Sequence, residues 1–477
     1  MKKLFFIYLA CNLIVFAQLS GSDGVTDFTS SSMGNAYTTT SSGVYSLGKN
    51  PANLFNGLED KHFEISTILP FPNIGILLGQ EFFTFEQFNY YFGGIDVNGK
   101  KEPRYLTDED KNDLNNLLDK GGTATFNTSI NYLSIMYFHN KKIGAFAFSM
   151  DDILGYSFKI PKDLVKIGLN GNPLNSIYNF DDSKLALLYY RNYSISYSRT
   201  LSDLIKLKLN DISFGLSLKI IKGFAYFKTE NVESVIKTLP NSDIEIKGNF
   251  LAYSSFSPDF GLRYSFENDD EKSDLNISPF LTPAGSGIGI DFGFAVNYDS
   301  TWRFGISFTD LGSIKFDKEV AKFESNTAFL LTDITDQKQL DSLSNSIKAD
   351  AQLYDGVISS QLPSAMHLGI STKVNHFFKS FPGELIAAID LHKGFNDVLS
   401  NTKKFRLALG LQWKPWRVLN IRTGVSVGGN YGSSFSFGMG LDLGSLEFGF
   451  SSYKFSSVLK PNSSNYFSIN FGSRWKF

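Results

Sequence analysis

"KFRLALGLQWK", Lys404 to Lys414, places Phe405, Leu407, Leu409, Leu411 and Trp413 on one face of an extended chain and Arg406, Ala408, Gly410 and Gln412 on the other. Successive side chains of a strand point to opposite sides, so an unbroken period of two marks a strand whose faces meet different surroundings. The same pattern recurs in LNIRTGVSV (Leu419 to Val427), with Asn420, Arg422, Gly424 and Ser426 opposite the apolar set. It recurs in FSFGMGLDL (Phe435 to Leu443), with Ser436, Gly438, Gly440 and Asp442 opposite. Earlier examples are ISFGLSLK, with Ser213, Gly215, Ser217 and Lys219 on the polar face, GIGIDFGFAV, with Gly289, Asp291 and Gly293, and WRFGISF, with Arg303, Gly305 and Ser307.

A soluble sandwich alternates too, with its apolar face as core and its polar face in water. Four features together favour a barrel with an apolar outside: an export signal, segments of about nine or ten residues, heavy aromatic use and the form of the last strand. The chain holds 46 Phe, 22 Tyr and 41 Gly, yet after the signal it has no apolar run of the roughly 18 residues that a membrane-crossing helix needs. The last strand, NYFSINFGSRWKF, sets Phe467, Ile469, Phe471, Trp475 and the terminal Phe477 against Ser468, Asn470, Arg474 and Lys476. It resembles the assembly signal of bacterial outer-membrane barrels, carried here by Phe471, Trp475 and Phe477. Lipid satisfies no free backbone N–H or C=O, so a strand-built span must close on itself.

Lys2 and Lys3 precede an apolar run from Leu4 to Phe16, and Val15 and Ala17 supply the small residues of a cleavage site, so residues 1–17 read as a signal peptide. The rival, lipoprotein processing at Cys11, has a poor lipobox in Tyr8-Leu9-Ala10. Cys11 is the sole cysteine, so its removal leaves no disulfide, thiolate metal site or cysteine nucleophile. Loss of two lysines from 45 basic residues, against 47 acidic ones, leaves a net charge of about −4 and no basic patch for nucleic acid. No low-complexity linker divides the rest, which reads as one large unit.

Connections alternate between tight and long, as expected of an even-stranded barrel with both ends in the periplasm. His139 to Lys141, Asp299 to Ser300, Pro415 to Arg417 and Gly444 to Ser445 are tight. Pro161 to Asp182, Glu267 to Ser286, Phe316 to Leu362 and Lys393 to Lys403 are long. The count of strand candidates is sixteen; Ile244 to Ser255 with Phe260 to Phe266 is the weakest pair, and without it fourteen strands result. Helical pieces are expected near 107–120, capped by Thr107 with Leu114, Leu117 and Leu118 in a stripe, and near 337–349. Both read as helices packed over the rim, or as a lid.

No catalytic centre emerges. His62, His139, His367, His376 and His392 have neither i, i+4 pairing nor metal-ligand spacing, GSGIGIDFG lies inside a strand with no helix to receive a phosphate, and there is no G-x-S-x-G elbow. The chain reads as a non-enzyme without metal or cofactor. Lys219, Asp291, Arg303, Arg406, Arg422, Asp442 and Arg474 are expected to face the lumen, where both signs suit ion pairs gripping a plug. On the same strand logic Leu409→Arg is expected to be costly and Gly410→Ser mild.

Residues 18–60 precede the first strand. Within them, MGNAYTTTSSGVYSLGKNPANL resembles the N-terminal hatch of the FadL-type family through Met33, Gly34 and Ala36, then Asn50, Pro51 and Ala52. Asn35 stands where the family has glycine, and Leu47-Gly48-Lys49 departs from its usual aromatic or small residues. Further along, LSLKIIKGFAY, GIDFGFAVNY and FTDLGSIKF resemble a Bacteroidota branch of FadL-like and PorV-like outer-membrane proteins. The resemblance implies an all-β transmembrane antiparallel barrel of 14 strands (range 12–16) over residues 61–477, with long extracellular loops and the hatch of residues 18–60 in the lumen. It implies two kinds of work: passive transport of a hydrophobic or amphipathic small molecule across the outer membrane, or a PorV-like role as an envelope scaffold or secretion and attachment component. Phe71 to Phe92 reads either as an aromatic ligand pocket or as strand and girdle. Expected partners are outer-membrane lipid, the barrel-assembly machinery and either a hydrophobic ligand or secreted proteins, with the chain a monomer whose two termini are periplasmic. A lumen segment must satisfy its own backbone, which favours Ser, Thr, Asn and Gly, while Tyr37, Val44, Tyr45, Leu47, Leu54 and Phe55 are too apolar for a solvated tail.

Overall fold

Strand propensity and alternation resolve into fourteen antiparallel strands in a closed ring. The structure, a computed structural model, describes residues 27–56, 61–119, 121–181, 183–202, 211–261, 281–333, 335–347, 350–378 and 380–477. The signal peptide of residues 1–17 lies outside the described residues, as does the stretch 18–26 of the N-terminal segment.

The strands are β1 (Phe63–Thr67 and Asn73–Gln80), β2 (Gly122–Asn140), β3 (Gly144–Ile160), β4 (Lys184–Thr200), β5 (Asp211–Thr238), β6 (Ile244–Phe256 and Gly285–Asn297) and β7 (Trp302–Phe316 and Val320–Leu331). They continue as β8 (Asp350–Leu353, Ile358–Gln361 and Ala365–Lys373), β9 (Glu384–Gly394), β10 (Arg406–Lys414), β11 (Leu419–Gly428), β12 (Ser434–Asp442), β13 (Leu446–Ser452) and β14 (Tyr466–Lys476). Each pairs with its sequence neighbours, and β14 returns to β1 with Glu64 opposite Lys476 and Ile74 opposite Phe471, so the wall has no free edge. The terminal Phe477 completes the seam: its carbonyl accepts from the backbone N–H of His62 (2.8 Å) and Phe63 (3.1 Å).

The expected faces hold along the wall. Leu407, Leu409, Leu411, Val425, Phe435 and Leu441 are exposed on the outside, whereas Arg406, Ala408, Asn420, Arg422, Ser426 and Ser436 are buried within. Ile288 keeps 72% of its surface exposed, while Asp291, on the other face of the same strand, keeps none. That inversion, apolar out and polar in, is the arrangement a lipid surround favours. Among the described residues no helix is long and apolar enough to cross a membrane.

The sixteen-strand count is corrected by strand length. β5 runs for 28 residues, roughly 90 Å along its own axis at 3.3 Å per residue, far beyond an apolar band of about 25 Å even at a steep tilt. Its first half pairs with Gly285–Asn297 and its second with Ile244–Phe256, so those two segments are stacked halves of one strand, β6. Pro258–Phe260 is a short 3-10 turn rather than the start of another strand, and 262–266 lie outside the described residues. The long connection expected from Phe316 to Leu362 is likewise strand in large part, because Val320–Leu331 continues β7 upward and pairs with β6. Polar outward residues there had masked the alternation.

Tight turns gather at one end of the barrel with the N-terminus of β1 and the C-terminus of β14, and long connections gather at the other. The helix Asp108–Leu117 has its capping box: the Asp110 N–H donates to Thr107 Oγ1 (3.1 Å) and the Thr107 N–H to the Asp110 carboxylate (2.9 Å). Leu114 and Leu118 pack with Phe83 and with Val165 and Leu169 of a further helix, Lys162–Asn170, which the sequence reading passed over. Gln337–Ile347 is the other expected helix. Phe71 to Phe92 divides into the second half of β1 and a capped helix, Phe85–Phe92.

Sidedness yields a direct test. Leu409→Arg, on the exposed outer face, is expected to lower stability in lipid by about 2–4 kcal/mol, read by urea titration of the bilayer-reconstituted barrel, whereas Leu409→Met is expected to stay within about 1 kcal/mol of wild type.

Candidate functional site

Residues 27–56 occupy the barrel interior beside the short-turn end, where Phe28, Met33, Ala36, Tyr37, Asn50, Ala52, Asn53 and Leu54 are all nearly without solvent exposure. The segment makes its own order from polar side chains. Asp27 caps the helix Phe28–Ser32 by accepting from the N–H of Thr29 (2.8 Å) and Ser30 (3.0 Å), and it forms an ion pair with Lys49. Thr40 and Ser46 hydroxyls donate to the carbonyls of Ala36 and Gly43, both at 2.7 Å. These bonds do for an irregular backbone what a ladder does for a strand. The composition of the segment, rich in Ser, Thr and Asn, follows from that need.

Each residue of the hatch motif has a place. Gly34 (φ 67°) and Asn35 (φ 65°) are consecutive left-handed residues that reverse the chain after the helix. Asparagine is the side chain that best tolerates this conformation after glycine, which accounts for Asn35 at a glycine position. Met33 and Ala36 pack with Ala388 and Ala408 of the wall. Asn50 caps the turn Pro51–Asn53 by accepting from the Ala52 N–H (3.1 Å), and its amide donates to the Thr38 carbonyl (2.9 Å) and to the Phe294 carbonyl of β6 (3.3 Å).

The wall receives this segment at its lumen glycines. A methyl group at Gly410 would fall 2.7 Å from the Met33 carbonyl oxygen, one at Gly424 2.5 Å from the Gly34 nitrogen, and one at Gly215 2.5 Å from the Pro51 carbonyl oxygen. The Asn50 side chain and the Thr38 carbonyl oxygen lie similarly against Gly293 and Gly305. The expectation that Gly410→Ser is mild is therefore corrected: alternation identifies Gly410 as lumen-facing but not that a backbone lies against it.

Ion pairs hold what the glycines admit. Glu447 accepts from Arg474 (2.8 Å) and Lys476 (3.2 Å), with Arg422 at 3.5 Å, and Lys476 also reaches Asp442 (2.7 Å). Arg474 extends to Glu64 of β1 (3.2 Å) and donates to the Ser42 carbonyl (2.9 Å), while the Val44 N–H donates to Glu64 (2.9 Å). One cluster thus spans the seam and the plug. Higher in the lumen, Lys219 lies between Asp291 (2.7 Å) and Asp310 (2.6 Å). Arg303 donates to Asn53 (2.7 Å) and Asn297 (2.8 Å), and Arg406 is buried opposite His392.

Of the predicted lumen charges, Arg422, Asp442 and Arg474 meet in the first cluster and Lys219 and Asp291 in the second; Arg303 contacts the plug separately. Sequence reasoning missed their partners Glu64, Glu447 and Asp310. It also missed Asp390, whose carboxylate accepts from the N–H of Tyr37 (2.8 Å) and Thr38 (2.6 Å). The parity rule applied to LEFGF (Leu446 to Phe450) and ELIAAIDL (Glu384 to Leu391) would have found Glu447 and Asp390; Asp310 sits at a β-bulge that parity cannot follow. His367 and His392 stack in the lumen, ring centroids 4.7 Å apart, with the Tyr37 hydroxyl 3.4 Å from His367 Nδ1. Among the described residues no group of His, Cys, Asp and Glu has the makings of a metal site.

Above the plug the lumen closes a second time. Leu362, at a break within β8, and Val398 and Leu399, from the connection between β9 and β10, pack with Ile153, Tyr190, Ile221 and Phe316. The Asn396 amide pins that closure by donating to the Leu362 carbonyl (2.7 Å).

A closed antiparallel barrel, apolar outside and filled by its own N-terminal segment, defines a plugged β-barrel of the membrane-spanning kind. The chain belongs to a family of unknown function, DUF5723, whose pattern matches residues 58–452 and so begins just beyond the plug. No curated protein matches it. Among solved structures it is similar to a TodX ΔS2S3 mutant monoaromatic hydrocarbon channel (11% identity, 94% of this chain and 98% of that one, TM-score 0.49). It is also similar to the Ralstonia pickettii toluene transporter TbuX (11%, 95% and 99%, TM-score 0.46). A third is a Pseudomonas aeruginosa FadL homologue (9%, 96% and 99%, TM-score 0.42).

Two substitutions separate plug seating from wall integrity. Gly424→Val is expected to leave a heat-stable barrel while making residues 27–56 cleavable by protease, because the added carbons collide with the Met33–Gly34 backbone. Asn50→Ala removes three hydrogen bonds and is expected to weaken plug seating by about 2–4 kcal/mol, measured as faster hydrogen exchange of plug amides with wall amides unchanged.

Proposed function

We propose that the protein is an outer-membrane barrel that passes a hydrophobic or amphipathic small molecule across the bilayer when residues 27–56 shift in the lumen. The observation that carries this reading is the manner in which the plug is held. It rests on wall glycines through backbone contact, packs Phe28, Val44, Tyr45 and Leu54 on Met136, Ala145 and Ala147, and is fixed by a few discrete polar anchors at Asp390, Glu64, Arg474, Arg303 and the Phe294 carbonyl. A lumen meant only to be solid has no need of glycines there, since wall side chains would fill it more stably. A separate segment seated in part against bare backbone can leave while the wall keeps its strand ladders, at the cost of the apolar contacts to Met136, Ala145, Ala147, Ala388 and Ala408. The apolar solute class accords with the outer face between β6 and β9, where a depression of about 540 Å³ lined by Phe294, Phe304, Leu368 and Ile389 overlies Gly305 and Gly369. On the inner side of those two glycines lies Thr38 of the plug.

In this reading the short-turn end and both termini face the periplasm, the long connections face outward, and the chain acts as a monomer. Phe471, Trp475 and Phe477, on the outer side of the seam, are then the part of the last strand offered to the barrel-assembly machinery. A second reading, a non-conducting envelope scaffold of PorV-like kind, is favoured by the double closure of the lumen at the plug and at Leu362 to Leu399.

Deletion of Gly34 to Ala52 tells the two apart. The deleted form is expected to assemble, since every strand and the backbone ladder of the seam are kept even as Arg474 and Glu64 lose the Ser42 carbonyl and the Val44 N–H, and to give stepwise ion currents in a planar bilayer where wild type is nearly silent. Wild-type vesicles are expected to take up a hydrophobic fluorescent solute faster than protein-free vesicles. An assembled deletion without current, together with wild-type uptake no faster than lipid alone, is the result the scaffold reading requires.

A further inference from the structure

The outer wall carries a row of charged and polar residues across β3 to β7. Cross-strand partners on neighbouring strands align Asp152 of β3 with Arg191 of β4, Arg191 with Lys222 of β5, Lys222 with Ser286 of β6, and Ser286 with Lys315 of β7. All five have the outward parity of the exposed Ile195, Leu218, Ile220 and Ile288, opposite to the buried Lys219 and Ile221; Asp152 and Arg191 are themselves covered, and Lys222, Ser286 and Lys315 keep solvent exposure. Immediately toward the short-turn end the next rows are Tyr193, Ile220 and Ile288, then Ile195, Leu218 and Ile290. On β5 the step from Ile220 to Lys222 changes apolar to cationic, and on β4 the step from Tyr193 to Arg191 does so from an aromatic residue.

Within this row the cations differ. Arg191 grips Asp152 through two bonds, Nε to Oδ1 at 2.5 Å and Nη2 to Oδ2 at 2.9 Å, and Tyr132 and Tyr189 hydroxyls donate to the same carboxylate at 3.1 and 2.8 Å. Lys222 and Lys315 meet no carboxylate within ion-pair distance among the described residues. Lys222 shares with Arg191 a recess of about 480 Å³, walled by Ile220, Phe224 and Leu281. A cationic recess continuous with an apolar slope matches one chemistry: a headgroup with an anionic phosphate whose acyl chains run down the wall.

We propose that Lys222 and Lys315, with Arg191 held in place by Asp152, form a binding site for a net-anionic phosphate-bearing lipid of the leaflet on the long-loop side, its chains lying over Ile220, Ile288 and Leu218. Neighbouring strands are about 4.8 Å apart, so Lys222 and Lys315, two strands removed from each other, flank a phosphate on Ser286 between them. The inference rests on the membrane placement proposed above. It adds a specific lipid contact to it.

The test uses the full chain in nanodiscs of phosphatidylcholine doped with either phosphatidylglycerol or monophosphoryl lipid A, followed by native mass spectrometry of the ejected barrel. Wild type is expected to retain the anionic phosphate lipid well above its share of the disc. Lys222→Gln with Lys315→Gln is expected to lower that retention on the order of fivefold for each lysine removed, whereas Lys141→Gln at the short-turn end leaves it unchanged. Equal retention by the double variant and wild type, or no preference over phosphatidylcholine, overturns the site. Displacement of the lipid by millimolar inorganic phosphate would reduce it to an anion site without a lipid component and likewise overturns the proposal. Entry into nanodiscs, checked by heat-dependent gel migration of the same samples, reports separately on the membrane placement: a barrel that never enters defeats both readings, and one that enters without lipid preference defeats this one alone.

Discussion

Fourteen strands leave no free backbone edge only if the last finds the first, and here that seam is fixed from inside by Arg474. Its guanidinium joins Glu447 of β13, Glu64 of β1 and the Ser42 carbonyl of the plug. Closure satisfies the ladder hydrogen bonds that lipid could not. The ion cluster sets which register closes, since a one-residue slip of β14 would turn Arg474 outward and carry Phe471 and Trp475 into the lumen. Burying an ion pair is costly unless every charge is met. In this cluster each carboxylate meets at least one cation, and the plug supplies a carbonyl and an N–H that the wall lacks.

The same seam therefore couples wall and plug. Val44 and Ser42 are held by the two residues that hold β1 to β14, while Asp390 and Arg303 hold the plug on the far side of the lumen. Between these anchors the wall offers glycine, where backbone meets backbone, and small or apolar side chains such as Met136, Ala145, Ala388 and Ala408. A displaced plug would leave a lumen of Ser, Asn, Gly and charged side chains, which water can fill. The wall itself would keep its ladders. Assembly thus rests on the ladders and sealing on the plug's contacts, with Arg474 and Glu64 shared between the two.

Alternation made the wall legible. From Leu407 to Leu443 each outward residue read from sequence is outward in the structure, because a strand between unlike phases must sort its side chains by parity. Where both sides of the wall meet water, as in Val320–Leu331 and the first half of β6, parity carries no signal: the former reads from sequence as part of a long connection and Ile244 to Ser255 as one of a weak pair of extra strands. The plug was legible through Met33, Gly34 and Asn50-Pro51-Ala52 and through its Ser, Thr and Asn content. Its seating was not: nothing local to Gly410 or Gly424 announces a chain hundreds of residues away. For the same reason Lys219 and Asp291 were placed in the lumen separately, and their third partner, Asp310, is displaced from strand parity by the bulge at the Ile290/Phe292 register shift.

The position of residues 27–56 inside the wall is the claim on which the rest turns. Ser31 of the plug and Ser451 of β13 have their hydroxyls in direct contact, and the chain has a single native cysteine, at position 11. With Ser31→Cys and Ser451→Cys in one chain, the assembled, bilayer-inserted barrel is expected to form an intramolecular disulfide under mild oxidation. Mass spectrometry of a digest then detects the plug peptide and the β13 peptide as one cross-linked species that reductant separates. Two free thiols that both react with a water-soluble maleimide, in a barrel that is otherwise folded and inserted, would contradict it.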